Sequence, residues 1–140
     1  KRLKAILESL GNVDHPVVIL AHPRLIAKAK EHGLDIDQGN LVSHESLPYP
    51  ELVSAVMNSR GVITDSGGLQ KEAFLLRVPC TTVRPETEWV ETVELGWNQL
   101  VEPGEALTQA ATRPKPQPTD ASPYGDGQAS EAVVKALVSP

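Results

Sequence analysis

The chain predicts an α/β fold, a Rossmann-like three-layer sandwich built on a parallel sheet. Two observations carry this. Short apolar runs of strand length alternate with segments of helical period along most of the sequence. The connections between them are short, which favours parallel strands joined by right-handed crossovers. In such sheets ligands gather at the carboxyl ends of the strands.

The elements follow in order. Leu3, Ile6, Leu7 and Leu10 fall at helical spacing, and Gly11-Asn12 stops that helix. The run Pro16-Val17-Val18-Ile19-Leu20 reads as a strand buried on both faces. Pro23 suits the first turn of a helix ending near Glu31, with His32-Gly33 as its stop. Asn40-Leu41-Val42-Ser43 is a weaker strand. Pro48-Tyr49-Pro50 turns into a helix whose apolar face holds Leu52, Val53, Val56 and Met57. Residues 61–64 form the next strand, and a Ser-Gly-Gly turn leads into a helix from Leu69 to Leu76. Residues 79–83 form another strand. Thr87 is expected to cap a short helix from Glu88 to Glu94, stopped by Gly96, and residues 98–101 form the last strand.

Residues 103–122 depart from this alternation. Three prolines between Arg113 and Pro118 predict an extended connection. A terminal helix is expected within residues 125–138, after the turn Tyr124-Gly125-Asp126-Gly127. The 140 residues suffice for one domain with a real core. The chain opens on Lys1, in a segment already helical in pattern, and so reads as a piece of a longer protein.

Composition narrows the function. A net charge of −5 argues against a nucleic-acid footprint. No apolar stretch reaches the length of a membrane span, and no signal peptide is visible. The single cysteine, Cys80, sits in a strand-like run as a small hydrophobe, with no disulfide framework and no metal-binding spacing. No metal or cofactor is expected, and a cytoplasmic location is the default.

Ser66-Gly67-Gly68 is the strongest chemical signal. Unpaired N–H groups and the helix dipole make a helix start attractive to anions. The glycines allow close approach, and Ser66 can add a hydroxyl. An ordinary serine N-cap with a tight glycine turn explains the same residues. Glu72 lies one to two turns further on, within reach of sugar hydroxyls or simply in solvent. His22, the Ser-Gly-Gly turn and Arg84 all fall just past strand ends and should line one edge of the sheet. His22 also reads as a loop residue before Pro23, and Arg84 as an ion-pair partner for Glu86, Glu88 or Glu91. Trp89 and Trp97 read as packing anchors.

The ordered motifs resemble a known family. Thr64-Asp65-Ser66-Gly67-Gly68-Leu69-Gln70-Lys71-Glu72 resembles the T-D-S-G-G-x-Q-E-E signature of the non-hydrolysing UDP-N-acetylglucosamine 2-epimerases. Pro79-Cys80, Arg84 and Thr87-Glu88 follow at that family's spacing. Pro123-Tyr124-Gly125-Asp126-Gly127 resembles its N-P-Y-G-D-G, and Pro48-Tyr49 also falls in place. The resemblance covers nearly the whole chain. It implies the C-terminal, UDP-binding half of a two-domain fold like that of the GT-B glycosyltransferases. Ser66, Gly67 and Gly68 would hold the diphosphate and Glu72 the ribose. The backbone near Leu47 and the side chain of Leu52 would border the uracil, and His22 would face the interdomain cleft. The partners implied are a UDP-sugar substrate, a missing N-terminal domain of the same chain and a second copy in a homodimer. The family's catalytic carboxylates lie in that N-terminal domain, so no catalytic residue is assigned here.

Three positions depart from the family pattern. Lys71 stands for the first Glu of Q-E-E, Leu52 for a phenylalanine beside uracil, and Trp89 for the arginine of T-E-R-P-E. Trp89 offers one neutral donor in place of a guanidinium, which leaves the sugar open while the diphosphate turn is intact. Besides a UDP-N-acetylglucosamine 2-epimerase, the sequence admits an epimerase of a diacetamido uronic acid, a GT-B glycosyltransferase and a non-catalytic UDP-sugar-binding module.

Overall fold

The computed structural model describes residues 1–138; the last two residues of the expected domain lie outside it. The elements alternate as α1 (Arg2–Gly11), β1 (Val17–Leu20), α2 (Pro23–Glu31), β2 (Leu41–His44), α3 (Tyr49–Met57) and β3 (Val62–Thr64). They continue as α4 (Gly67–Leu75), β4 (Cys80–Thr82), α5 (Val90–Glu94), β5 (Asn98–Leu100), α6 (Glu105–Ala111) and α7 (Ala129–Val138). Every paired strand is parallel, so the fold is α/β as the alternation predicts.

The strands form two hydrogen-bonded ladders, where a single sheet is expected. β1 pairs β2, with Val17 opposite Leu41, and β3, β4 and β5 form the second ladder in that order. One core nevertheless spans both. Leu7 and Leu10 of α1, Leu41 of β2, Val83 beyond β4 and Leu107 of α6 belong to one buried cluster. The alternating burial of α1 follows from Leu3, Ile6, Leu7 and Leu10 lying on one stripe of the helix. A second cluster joins Val56, Val62, Ala73, Val78 and Cys80, with Leu52 and Leu69 packed against it. This cluster fixes α3 and α4 against β3 and β4, and so positions the turn at the start of α4.

Four expectations need correction. Val18 is 62% exposed, because only alternate residues of β1 reach the core; the strand is not buried on both faces. Met57 is likewise 62% exposed, at the last turn of α3, so the apolar face of that helix ends at Val56. Thr87 does not cap the short helix, whose N-cap is Trp89. Residues 103–122 open with α6, a helix absent from the sequence reading. Its pattern is short and rich in alanine, and it is held by burial of Leu107 and Ala110.

Candidate functional site

β3 ends at Thr64, and the chain reverses through Asp65 and Ser66 into α4. The turn is closed by Ser66 N–H donating to Thr64 Oγ1 at 3.0 Å. Ser66 occupies the N-cap with extended backbone, φ −81° and ψ 129°, yet its side chain makes no capping hydrogen bond. The ordinary N-cap explanation therefore fails here. An exposed hydroxyl and the first N–H groups of a nine-residue helix remain unspent.

The two glycines face different surroundings. A Cβ at Gly68 would meet nothing within 4 Å, so the helix start is open on that side. A Cβ at Gly67 would overlap Glu88 Oε1, with Arg84 Nη1 3.8 Å away. Arg84 is paired with that carboxylate at 3.1 Å, which realises the ion-pair alternative among its three candidate partners. An anion and a cation of the chain itself thus stand beside the turn.

Gln70 anchors this arrangement, and sequence reasoning gave it no role. It is fully buried, at 0% exposure. Its Nε2 donates to the Ser66 carbonyl at 3.2 Å. Its Oε1 accepts from Thr87 Oγ1 at 2.6 Å and from Asn98 Nδ2 at 3.1 Å. Asn98 Oδ1 in turn accepts from Thr82 Oγ1 at 2.7 Å. One buried amide therefore ties the turn to the Thr87 loop and to β5. Its place four residues after Ser66, between Leu69 and the buried Ala73, was the available signal.

Glu72 is half-buried, and its Oε1 accepts from Tyr49 Oη at 3.2 Å. This contact pushes the Tyr49 phenol above its usual range, the hydrogen bond to Glu72 being the main cause and its charge the second. Sequence reasoning named Tyr49 only within the Pro48-Tyr49 motif and gave its side chain no role. It opens α3, whose Leu52 packs against the second core cluster, and half-buried Leu47 precedes it in the connecting loop. His22 sits just past the end of β1, on the other ladder. It is the exposed N-cap of α2, its Nδ1 accepting from Arg24 N–H at 3.2 Å.

Trp89 and Lys71 meet on the flank of α4. Tyr124 joins them, with its ring edge-on to Trp89 at 5.5 Å and to Phe74 at 5.7 Å. The loop before α7 is thereby packed onto α4. Burial, with Glu91 nearby, pushes the Tyr124 phenol up to about 12. Among the described residues no group of three or more His, Cys, Asp or Glu could hold a metal ion.

Comparison with known proteins gives this geometry a context. The family model described as UDP-N-acetylglucosamine 2-epimerase matches residues 1–138. A UDP-2,3-diacetamido-2,3-dideoxy-D-glucuronate 2-epimerase of Pseudomonas aeruginosa is 36% identical over 97% of this chain and 39% of its own length. The UDP-N-acetylglucosamine 2-epimerase of Methanocaldococcus jannaschii is 35% identical over 98% of this chain and 40% of its own. A crystal structure of a Methanocaldococcus jannaschii UDP-GlcNAc 2-epimerase, in complex with UDP-GlcNAc and UDP, superposes with a TM-score of 0.84. That structure is 33% identical, with 97% of this chain and 40% of that one covered. The chain spans about 40% of the length of these relatives. With its α/β fold, one half of a GT-B-type architecture, and its helix-start turn both in place, the chain belongs to the UDP-N-acetylglucosamine 2-epimerase family.

Proposed function

We propose that residues 1–140 are the UDP-binding domain of a UDP-N-acetylglucosamine 2-epimerase. One observation carries the reading: the Ser66-Gly67-Gly68 turn presents an unspent hydroxyl and a helix start open at Gly68, held from below by Gln70. Fixed N–H dipoles of this kind favour a diphosphate without reorganisation. Ser66, Gly67 and Gly68 take the diphosphate, and Glu72 accepts from the ribose hydroxyls beside Tyr49. Leu47 and Leu52 border the uracil, and Arg84 lends positive charge. His22 faces the cleft toward the N-terminal domain of the same chain. The protein works in the cytoplasm as a homodimer.

The reaction inverts C2 of UDP-N-acetylglucosamine by eliminating UDP and returning it to the glycal once the C2 proton has changed sides. The C1–O bond breaks as the C2 proton leaves, and both are remade on return. This domain stabilises the departing diphosphate and retains UDP while the intermediate exists. The acid and base belong to the upstream domain, so the isolated 140 residues bind UDP and turn nothing over.

A second reading concerns the sugar. Trp89 stands at the position of the family arginine, and a 36% identical relative is named for a diacetamido glucuronate. The test is the full-length protein with UDP-N-acetylglucosamine in deuterated water. Deuterium at C2 with manno-configured product is the expected result. Exchange seen only with the diacetamido uronate moves the assignment to that sugar. UDP binding without exchange on either refutes epimerisation and leaves a glycosyltransferase or a binding module.

A further inference from the structure

A cavity of about 380 Å³ opens at the other end of the strands from the Ser66 turn, beside the residues that lead into β3 and β4. Four of its lining residues are cationic: Arg60, Arg77, Arg113 and Lys115. No Asp or Glu lines it. Among the described residues none of the four forms an ion pair, in a chain whose net charge is −5.

Two of these cations are locked in place. Arg113 donates from Nη1 to Thr81 Oγ1 at 3.1 Å and to the Ala110 carbonyl at 3.4 Å. Its Nη2 donates to the carbonyls of Cys80 at 2.9 Å and Trp97 at 3.0 Å. Arg77 donates to the Phe74 and Ala121 carbonyls at 3.1 and 2.9 Å, which leaves the rest of its fork free. Arg77 also holds a left-handed backbone, φ 55°, just past the end of α4, where glycine is the favoured residue. The chain keeps an arginine at a position whose backbone disfavours it. Burial pulls the Arg113 guanidinium below its usual range.

The other two are exposed and adjustable. Lys115 Nζ lies over the Trp97 ring at 5.8 Å, and Arg60 Nη1 meets His15 Nε2 at 2.8 Å. The carbonyl ends of α3 and α4 face the same region and balance part of the positive charge. Four full charges outweigh two partial ones. Guanidinium forks match phosphate oxygens, and a concave site of this volume suits a small molecule rather than a protein surface.

We propose that the cavity bounded by Arg60, Arg77, Arg113 and Lys115 is a binding site for a small, multiply charged phosphoanion. Arg77 and Arg113 supply a preset field, and Arg60 and Lys115 close on the ligand. Because Arg113 and Lys115 belong to the Pro-rich connection, occupancy also pins that connection to the domain.

Inorganic pyrophosphate is the probe, titrated into the full-length protein at low salt and followed by amide resonances. Ser59, Arg77, Val78 and Lys115 report on the cavity, and Gly67 and Gly68 report separately on the turn. Cavity resonances should saturate below about 1 mM, a modest affinity for a diphosphate. The double variant R60Q/K115Q removes two exposed charges without touching the buried hydrogen bonds. It should weaken this response roughly tenfold or more and flatten its salt dependence, with the melting temperature lowered only slightly by the lost Lys115–Trp97 and Arg60–His15 contacts. No shift at the cavity, or an equal response in R60Q/K115Q, overturns the proposal. A shift confined to Gly67 and Gly68 overturns it as well. Repeating the titration with UDP distinguishes a free phosphoanion site from one that takes the nucleotide itself.

Discussion

Lys71 Nζ stands 5.1 Å from the centre of the Trp89 ring and 4.9 Å from that of Tyr124. Positions 71 and 89 are two of the three at which the chain departs from the family pattern, and they touch. A glutamate and an arginine at these sites are oppositely charged; here a cation over an aromatic face takes their place. The two departures meet in one contact. Lys71→Ala should cost about 0.5–1 kcal/mol, the range of a partly exposed cation–π contact. K71E and W89R should each destabilise the domain, and the double variant K71E/W89R should recover part of the loss through an ion pair. Urea denaturation of the four proteins measures the coupling. Simple additivity would show that the two residues act independently.

Gly67 and Gly68 separate packing from ligand access. Gly68→Ala adds a methyl into open space and should leave the melting temperature level or slightly higher, since alanine is favoured over glycine in a helix by up to about 1 kcal/mol. In the proposed site the same methyl would stand in the path of the diphosphate, so UDP affinity should fall by roughly tenfold or more. In Gly67→Ala the methyl meets the Glu88 carboxylate, which is exposed and can swing aside. Its stability should change little, and the Arg84–Glu88 pair should be lost. Calorimetric titration with UDP and a thermal melt of each variant check both halves. Undiminished UDP binding by G68A would place the diphosphate elsewhere.

The turn was legible because its chemistry is local: strand end, small residues and helix start lie within nine residues. The alternation of strands and helices was legible for the same reason. What the sequence hid was contact between distant segments. Nothing in the apolar run of β1 tells that Val18 faces out, since a continuous hydrophobic stretch reads alike whether one face or both are covered. Thr87 has the right type for a helix cap, but its hydroxyl is drawn to Gln70, and the helix begins beyond it. The Trp89 N–H in turn donates to Thr87 Oγ1 at 3.1 Å. Tyr49 and Glu72 are 23 positions apart, so their pairing is visible only once α3 and α4 pack together.

Gln70 should be the most sensitive residue beneath the turn. Gln70→Leu fills similar space but leaves the Asn98 amide, the Thr87 hydroxyl and the Ser66 carbonyl each short of a partner. Leaving a buried polar group unpaired costs about 1–3 kcal/mol, so a loss at the upper end of that range or beyond is expected. The Ser66 backbone also loses its tether, and UDP affinity should fall together with stability. Gln70→Glu retains the acceptor for Thr87 and Asn98 but gives up the donor to Ser66, and places a charge in a fully buried position. Denaturant titration and UDP binding on both variants decide the matter. A Q70L protein as stable as wild type would mean that the network is ornamental.

Alkaline pH should loosen the fold from the other side of β4. Burial pushes the Cys80 thiol up to about 11, with the Thr82 hydroxyl and the Arg113 charge pulling back only in part. In the unfolded chain the thiol ionises near its ordinary value. Between the two values the unfolded state holds fewer protons than the folded one, so raising the pH favours unfolding. The contribution of Cys80 is whole below about pH 8.5 and fades as pH rises toward about 11, a change on the order of 3 kcal/mol. Tyr124, raised to about 12, acts with the same sign in a higher window that starts near its unfolded value. Denaturant unfolding at about pH 8 and about pH 10.5 should therefore show a clear fall in wild type. C80A, which loses some packing at every pH, should show a shallower fall, because only the raised phenols of Tyr49 and Tyr124 remain. At neutral pH the native thiol should resist iodoacetamide until the domain opens, since the protonated, buried sulfur is a poor nucleophile. Equal pH slopes in wild type and C80A, or rapid alkylation of the folded protein, would show that Cys80 is not protected by its burial.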